Sequence, residues 1–206
     1  MPGAGLRDPV AGSRQLSWLL RHGASEVGLA MDPAGWADVA AVLAYTRLTR
    51  AQLELIVRTN DKGRLQLDGD RVRACQGHST ANLAIDRDAL EASWQPHAGD
   101  AWLWHGTTRE ALDAIAREGL RPVARTHVHL AEDPTSTVGK RASVAWLLAI
   151  DPVGLRAAGH AVFVAPNGVR LVRAVPPSCI VGARAMTRRA AAQQAEVLAL
   201  LAVPAV

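Results

Sequence analysis

The spacing of hydrophobic positions changes twice along the chain, and each change marks a new kind of element. Leu16, Leu19 and Leu20 recur at helical spacing between Ser13 and Gly23, which predicts a helix opened by the serine and closed by the glycine. Gly35 and Trp36 precede a second helical stretch from about Ala37 to Ala44. Thr49 and Gln52 have the spacing of a capping box ahead of a third helix that buries Leu53, Ile56 and Val57. The period then drops to two in RLQL (64–67) and RVRA (71–74), and Asp68-Gly69 between them predicts a hairpin with a type I′ turn. Three helices and a hairpin describe a winged-helix lobe, over residues 1–90. Residues 81–100 mix Asp, Pro, Gly and Asn with few apolar positions and read as the crossover to a second lobe, 91–206.

That lobe is expected to be mostly antiparallel β, making the whole an α+β chain. Ala101–Trp104 reads as a strand that runs through His105-Gly106-Thr107 into a helix over Thr108–Glu118. Thr107 and Glu110 have capping-box spacing, Leu112 and Ile115 form the buried stripe, and Gly119 is the expected C-cap. A helix start of this kind offers free backbone N–H groups to an anion. Arg125, His127 and His129 alternate with Thr126, Val128 and Leu130, so a strand there puts three basic side chains on one face. VAWLLAI (144–150) reads as an apolar strand ended by Asp151-Pro152, and AVFVAP (161–166) with VRLVRAV (169–175) as a hairpin turned by Asn167-Gly168. Ile180-Val181 extends the sheet, and the Ala- and Leu-rich residues 184–202 read as one terminal helix that packs or forms a tail.

Composition narrows this picture only a little. At 206 residues the chain can build two small cores, and its net charge of +4 is spread evenly, so charge alone does not indicate nucleic acid. Of 23 Lys and Arg residues only Lys62 and Lys140 are lysines, a bias that genomic composition also produces. Cys75 and Cys179 form no disulfide framework, the N-terminus lacks the apolar core of a signal peptide, and no window reaches the ~18 apolar residues of a membrane span. A soluble cytoplasmic protein is the expectation. Gly3-Ala4-Gly5 has no preceding strand, which excludes a dinucleotide-binding fingerprint.

The polar candidates each admit a plain structural role. Arg21 and His22 fall in the last turn of the first helix, where cations suit the helix dipole whether or not they bind anything. Lys62, Arg64, Arg71 and Arg73 make the hairpin region basic, either to meet phosphates or to keep an exposed edge soluble. His127-x-His129 sets two imidazoles side by side, but no Cys or third His stands nearby at ligand spacing, so no metal is expected. Cys75 and His78 are half of a zinc spacing without the other half.

Taken in order, SWLLRHG (17–23), Gly35-Trp36, NDKGR (60–64), RACQGHS (73–79), LWHGT (103–107), Gly119-Leu120, RTHVHL (125–130), Gly139–Arg141, Asn167–Val169 and Val175–Pro177 resemble the NAD-dependent RNA 2′-phosphotransferase family of tRNA splicing. The resemblance implies a winged-helix RNA-binding lobe followed by an ADP-ribosyltransferase-like lobe. It implies a transferase that moves an internal RNA 2′-phosphate to ADP-ribose. The 2′-phosphate attacks C1″ of the nicotinamide ribose and expels nicotinamide; the 2″-hydroxyl then attacks the phosphate, releasing 2′-hydroxyl RNA and ADP-ribose 1″,2″-cyclic phosphate. Catalysis would fall to Arg21, His22, Arg64 and Arg125, three from the first lobe and one from the second, meeting in a cleft. NAD, consumed as co-substrate without a metal, would be held by His105, Gly106 and Thr107 with His127, His129, Gly139 and Arg141. Lys62 would assist at the phosphate of a 2′-phosphorylated RNA such as tRNA, with the protein acting as a monomer.

Three positions depart from the family pattern. Leu65 stands where Phe is usual, Arg170 replaces an aromatic after Asn167-Gly168-Val169, and Ala142-Ser143-Val144 is unlike the usual basic, glycine-containing run. The last bears on how adenosine is held. Two other readings fit parts of the chain: ADP-ribosylation of terminal phosphates of nucleic acids, which stops after the first step, and a non-catalytic winged-helix regulator that senses NAD.

Overall fold

The computed structural model describes residues 9–60, 62–82, 84–136 and 144–206. The chain forms two units: Met1–Trp94 with the short segment Ala124–Thr126, and Gln95–Val123 with His127–Val206. Mixed helices and antiparallel sheets make it α+β.

The first unit contains α1 (Pro9–Trp18), β1 (Ala37–Asp38), α2 (Val39–Thr46), α3 (Arg50–Thr59), β2 (Leu65–Asp68), β3 (Arg71–Ala74) and α4 (Arg87–Ala92). Its core joins Leu16, Leu19 and Leu20 to Val42, Leu53, Ile56 and Val72, so the stripes read from the sequence do meet. Thr49 and Gln52 form the expected capping box on α3. The second helix starts two residues late because Ala37 and Asp38 pair with β3, and the Asp38 carboxylate then accepts from the Ala41 N–H. The hairpin turns on Gly69-Asp70, with Asp68 paired to Arg71. Positive φ falls on Gly69 (55°) and not on Asp70, which excludes the type I′ turn, since that needs both. The expected crossover contains α4, capped by Asp86.

The second unit contains β4 (Gln95–Pro96), β5 (Leu103–Thr107), α5 (Leu112–Glu118), β6 (Val128–Leu130), β7 (Trp146–Ile150), α6 (Pro152–Ala157), β8 (Val162–Val164), β9 (Arg170–Val172), β10 (Ile180–Ala185), α7 (Arg188–Ala191) and α8 (Gln194–Leu201). Two antiparallel sheets run β10-β7-β5 and β4-β8-β9-β6. Every residue of β7 is fully buried: Trp146, Leu148 and Ile150 join the main core, while Leu147 and Ala149 pack with Trp104 and Ala131 on the other face. That two-sided burial is why its sequence is apolar throughout.

Four expectations change here. Thr107 stays in β5, buried and paired with Trp146, so it caps nothing. A 3₁₀ turn (Arg109–Ala111) follows Thr108, and Glu110 bonds its own N–H and the Thr108 hydroxyl, which lowers its pKa. The helix start is thus served by the chain's own carboxylate. Arg125, His127 and His129 do not share one strand face, because bends at Thr126 and His127 separate an exposed Arg125 from β6, where only Val128–Leu130 are extended. Asp151 caps α6, with Pro152 in its first turn, where the sequence reading had only a strand end. Residues 184–202 are no single helix: β10 continues to Ala185 against Trp146, and two shorter helices follow. They pack rather than trail, with Val197 fully buried.

Candidate functional site

The first helix does not close at Gly23. After Trp18 the chain widens into a π-helical turn, Leu19–Gly23, and the helical path continues to a left-handed Gly28. Gly23 serves another purpose, since a side-chain carbon there would lie 2.4 Å from the benzo ring of Trp18. Leu19 and Leu20 are fully buried in this turn, while Arg21 and His22 face outward to different degrees. Single π turns within α-helices recur at functional sites.

The segment Gly77–Thr80 organises the surroundings of Arg21. The Ser79 N–H donates to the Arg21 carbonyl at 3.0 Å. A side-chain carbon on Gly77 (φ 86°) would stand 3.4 Å from the Arg21 guanidinium carbon, so the glycine backbone lies against that group. Ser79 bridges to Arg125, the Thr126 N–H donates to the His78 carbonyl at 3.1 Å, and the Thr80 N–H donates to the Ala124 carbonyl at 3.2 Å. Arg125 therefore belongs to the same unit as Arg21, His22 and Arg64.

Arg64 is placed by Asn60. The Asn60 side-chain oxygen accepts from the N–H groups of Lys62 (3.2 Å) and Arg64 (3.1 Å), and its amide donates to the Ser13 hydroxyl at 2.6 Å. The Cys75 thiol donates to the Gly63 carbonyl at 3.1 Å, and burial pushes that thiol up to about 11, which keeps it protonated. One asparagine thus ties the 60–64 loop to α1 and fixes where Arg64 leaves it.

The electrostatics of this cluster are unbalanced. Burial, then Arg125, then Arg64 lower the Arg21 pKa to about 10, and it remains a cation at neutral pH. Its Nε and Nη2 are buried with no hydrogen-bond partner among the described residues. Burial, Arg21 and Arg125 lower the His22 pKa, favouring the neutral imidazole. Arg21, His22, Lys62 and Arg64 line a groove of about 690 Å³ together with α1 and the end of α3. Cations that converge around Arg21, whose Nε and Nη2 have no partner among the described residues, suit a compact polyanion such as a phosphate.

Other basic residues are engaged elsewhere. Arg73 is buried and bonds Gln66 (2.9 Å), the Ala34 carbonyl (3.1 Å) and Ser93 (2.7 Å), with Trp36 4.6 Å from its guanidinium. Arg71 pairs with Asp68 at 3.1 Å. These partners account for Arg71 and Arg73 within the fold, while Lys62 and Arg64 lie on the groove.

In the second unit, His105 Nδ1 lies 3.0 Å from the His129 carbonyl. Only an N–H can donate there, so Nδ1 carries a proton. Gly106 abuts Val144, 2.7 Å from where its side chain would begin, a packing reason for glycine that needs no ligand. Thr107 and His127 are buried and His129 is half-buried. Gly139 and Arg141 lie outside the described residues. Among the described residues no three His, Cys, Asp or Glu side chains are placed to hold a metal, and no helix is long and apolar enough to cross a membrane.

The profile of the RNA 2′-phosphotransferase, Tpt1/KptA family matches residues 7–174. The chain belongs to this family. It is 43% identical over 173 residues to a probable RNA 2′-phosphotransferase of Burkholderia lata, covering 80% of this chain and 86% of that protein. Proteins of the same description from Pseudomonas syringae pv. tomato (40% over 179 residues, 82% and 91% covered) and Streptomyces griseus (41% over 187 residues, 83% and 95% covered) are similarly close. The family is one of transferases, and this member is an enzyme. In this RNA 2′-phosphotransferase family member, the sequence reading gave no role to Asn60 or to Gly77–Thr80. Asn60 was visible as a turn-former beside the basic residues; the backbone role of Gly77–Thr80 has no side-chain signature.

Proposed function

We propose that this enzyme removes an internal 2′-phosphate from RNA, using NAD as co-substrate and yielding 2′-hydroxyl RNA, nicotinamide and ADP-ribose 1″,2″-cyclic phosphate. The first unit is read as a winged-helix RNA lobe and the second as an ADP-ribosyltransferase-like NAD lobe. The observation that carries the reading is Arg21, whose buried Nε and Nη2 lack partners among the described residues while two further arginines act on it. A bound phosphate dianion supplies the missing acceptors and offsets the like-charge repulsion in one step.

The side-chain roles follow from their chemistry. Arg21, Arg64 and Arg125 hold phosphate oxygens and stabilise charge at phosphorus, which is where positioning and electrostatics do most in such transfers. His22, held neutral in the free enzyme, donates its N–H to a phosphoryl oxygen or takes the proton from the attacking ribose hydroxyl. Lys62 adds a cation at the groove. NAD supplies the acceptor carbon and the leaving nicotinamide. His105, Gly106 and Thr107, with His127, His129, Gly139 and Arg141, make the proposed NAD contacts.

Incubating the protein with NAD and an oligonucleotide carrying one radiolabelled internal 2′-phosphate tests this directly. The label is expected in the cyclic ADP-ribose product, with nicotinamide released in equal amount. Recovery of both reactants unchanged defeats the proposal, and a stable ADP-ribose adduct on the strand means that only the first step occurs.

A further inference from the structure

The groove is larger than a phosphate requires. Of its α1 residues, Val10 lies eight positions before Trp18, about 12 Å along a helix, so the groove continues well beyond the arginine end. Near Arg21 the wall also carries Trp18 and Ser17, which lie outside the cluster of cations. Trp18 is 39% exposed, a large aromatic surface for a side chain on a groove wall. One face of its benzo ring lies on Gly23, where a side-chain carbon would stand 2.4 Å from the ring, which fixes the ring in place. The Ser17 hydroxyl, also on the wall, is buried with no hydrogen-bond partner among the described residues.

We propose that Trp18 is a stacking platform for a nucleobase of the RNA strand, at or next to the nucleotide whose 2′-phosphate occupies the arginine cluster. This rests on the proposed function and specifies how its substrate is held. With one face seated on Gly23, a rigid, part-exposed indole has its opposite π-face for a base, and base–aromatic stacking is how single-stranded RNA is commonly gripped. The Ser17 hydroxyl meets a ribose hydroxyl or a base edge, either of which satisfies it. Arg14 and Lys62, on the same walls, are the cations for flanking phosphates. An aromatic plate, an unmet hydroxyl and flanking cations together describe a nucleotide site, in which Trp18 is a specificity-determining residue outside the chemistry.

The test compares wild type, Trp18→Leu and Trp18→Phe on 2′-phosphorylated RNA oligonucleotides that are intact, or abasic at the phosphorylated nucleotide or at either neighbour. Leucine keeps an apolar cover over Gly23, and thermal melting checks that the fold is retained. On the intact strand Trp18→Leu is expected to raise KM about 10-fold with kcat nearly unchanged, and Trp18→Phe to recover most of the loss. One abasic position should weaken wild type by a similar factor and erase the difference between wild type and Trp18→Leu. Equilibrium affinity for the same strands reads the stacking without turnover, so failure of the reaction and failure of the platform are distinguishable. Equal losses for Trp18→Leu on every strand, or no loss on any, overturn the proposal.

Discussion

Two regions of the first unit each bury an arginine, and they bury it differently. At the hairpin, Arg73 bonds Gln66, Ser93 and the Ala34 carbonyl and stacks on Trp36. At the π turn, Arg21 has two buried nitrogens without partners among the described residues and other arginines acting on it. Burial is the first cause of a lowered pKa in both. Burial and pKa therefore do not separate a structural cation from a binding one; the list of partners does. A buried donor without a partner costs about 1–3 kcal/mol, so the Arg21 arrangement is a local weakness in the free protein that a ligand can remove.

The sharpest test of this contrast replaces each arginine with alanine. Arg21→Ala is expected to melt no lower than wild type, since it removes the unpartnered donors, and to lower kcat/KM for 2′-phosphorylated RNA at least about 100-fold, because charge-assisted bonds to the phosphate are lost. Retention of more than a tenth of the activity means that Arg21 does not hold the phosphate. Arg73→Ala should do the reverse first: chemical denaturation is expected to show a loss of about 2–4 kcal/mol, since Gln66 and Ser93 lose a buried partner. If Arg73→Ala is as stable as wild type, the distinction between the two regions fails.

The same contrast explains what the sequence could and could not reveal. Leu16, Leu19 and Leu20 or Leu53 and Ile56 declare their burial by spacing, and Thr49 with Gln52 declares a cap, because those signals are local. Arg21 and Arg73 look alike in sequence, since their partners lie far along the chain at Gly77, Ser79 and Ser93. The π turn was read as an ordinary helix end because a glycine there usually marks a C-cap, whereas Gly23 makes room for Trp18. Thr107 was read as a cap for a related reason: its pairing with Trp146 overrode a local motif. The roles of the four proposed catalytic residues come from resemblance; alternation singles out Arg125 alone, and on a strand face that the bends at Thr126 and His127 break.

Inorganic phosphate offers a milder probe of the unmet donors. At about ten times its dissociation constant it should raise the melting temperature of the wild type by roughly 3–6 °C, the equivalent of about 1.4 kcal/mol. Arg21→Ala should lose most of that shift and Arg73→Ala should keep it. An equal shift in Arg21→Ala places the anion elsewhere.

The smallest expected effect concerns His22. Its pKa is lowered in the folded protein by burial and by Arg21 and Arg125, so the unfolded chain, with an ordinary value near 6.5, takes up more proton at that position as the pH falls. Stability contributed by the neutral ring is therefore present above about pH 6.5 and is lost as pH drops through the lower folded value. His22→Gln cannot take up that proton, so its denaturation free energy between pH 8 and pH 5 should fall less than that of wild type. His97, whose pKa is also lowered, cancels because both proteins contain it. With saturating phosphate the difference should shrink or change sign, because a bound anion favours the imidazolium that the arginines oppose. Identical pH profiles for wild type and His22→Gln, with and without phosphate, would remove His22 from the cluster and leave the site to the arginines and Lys62.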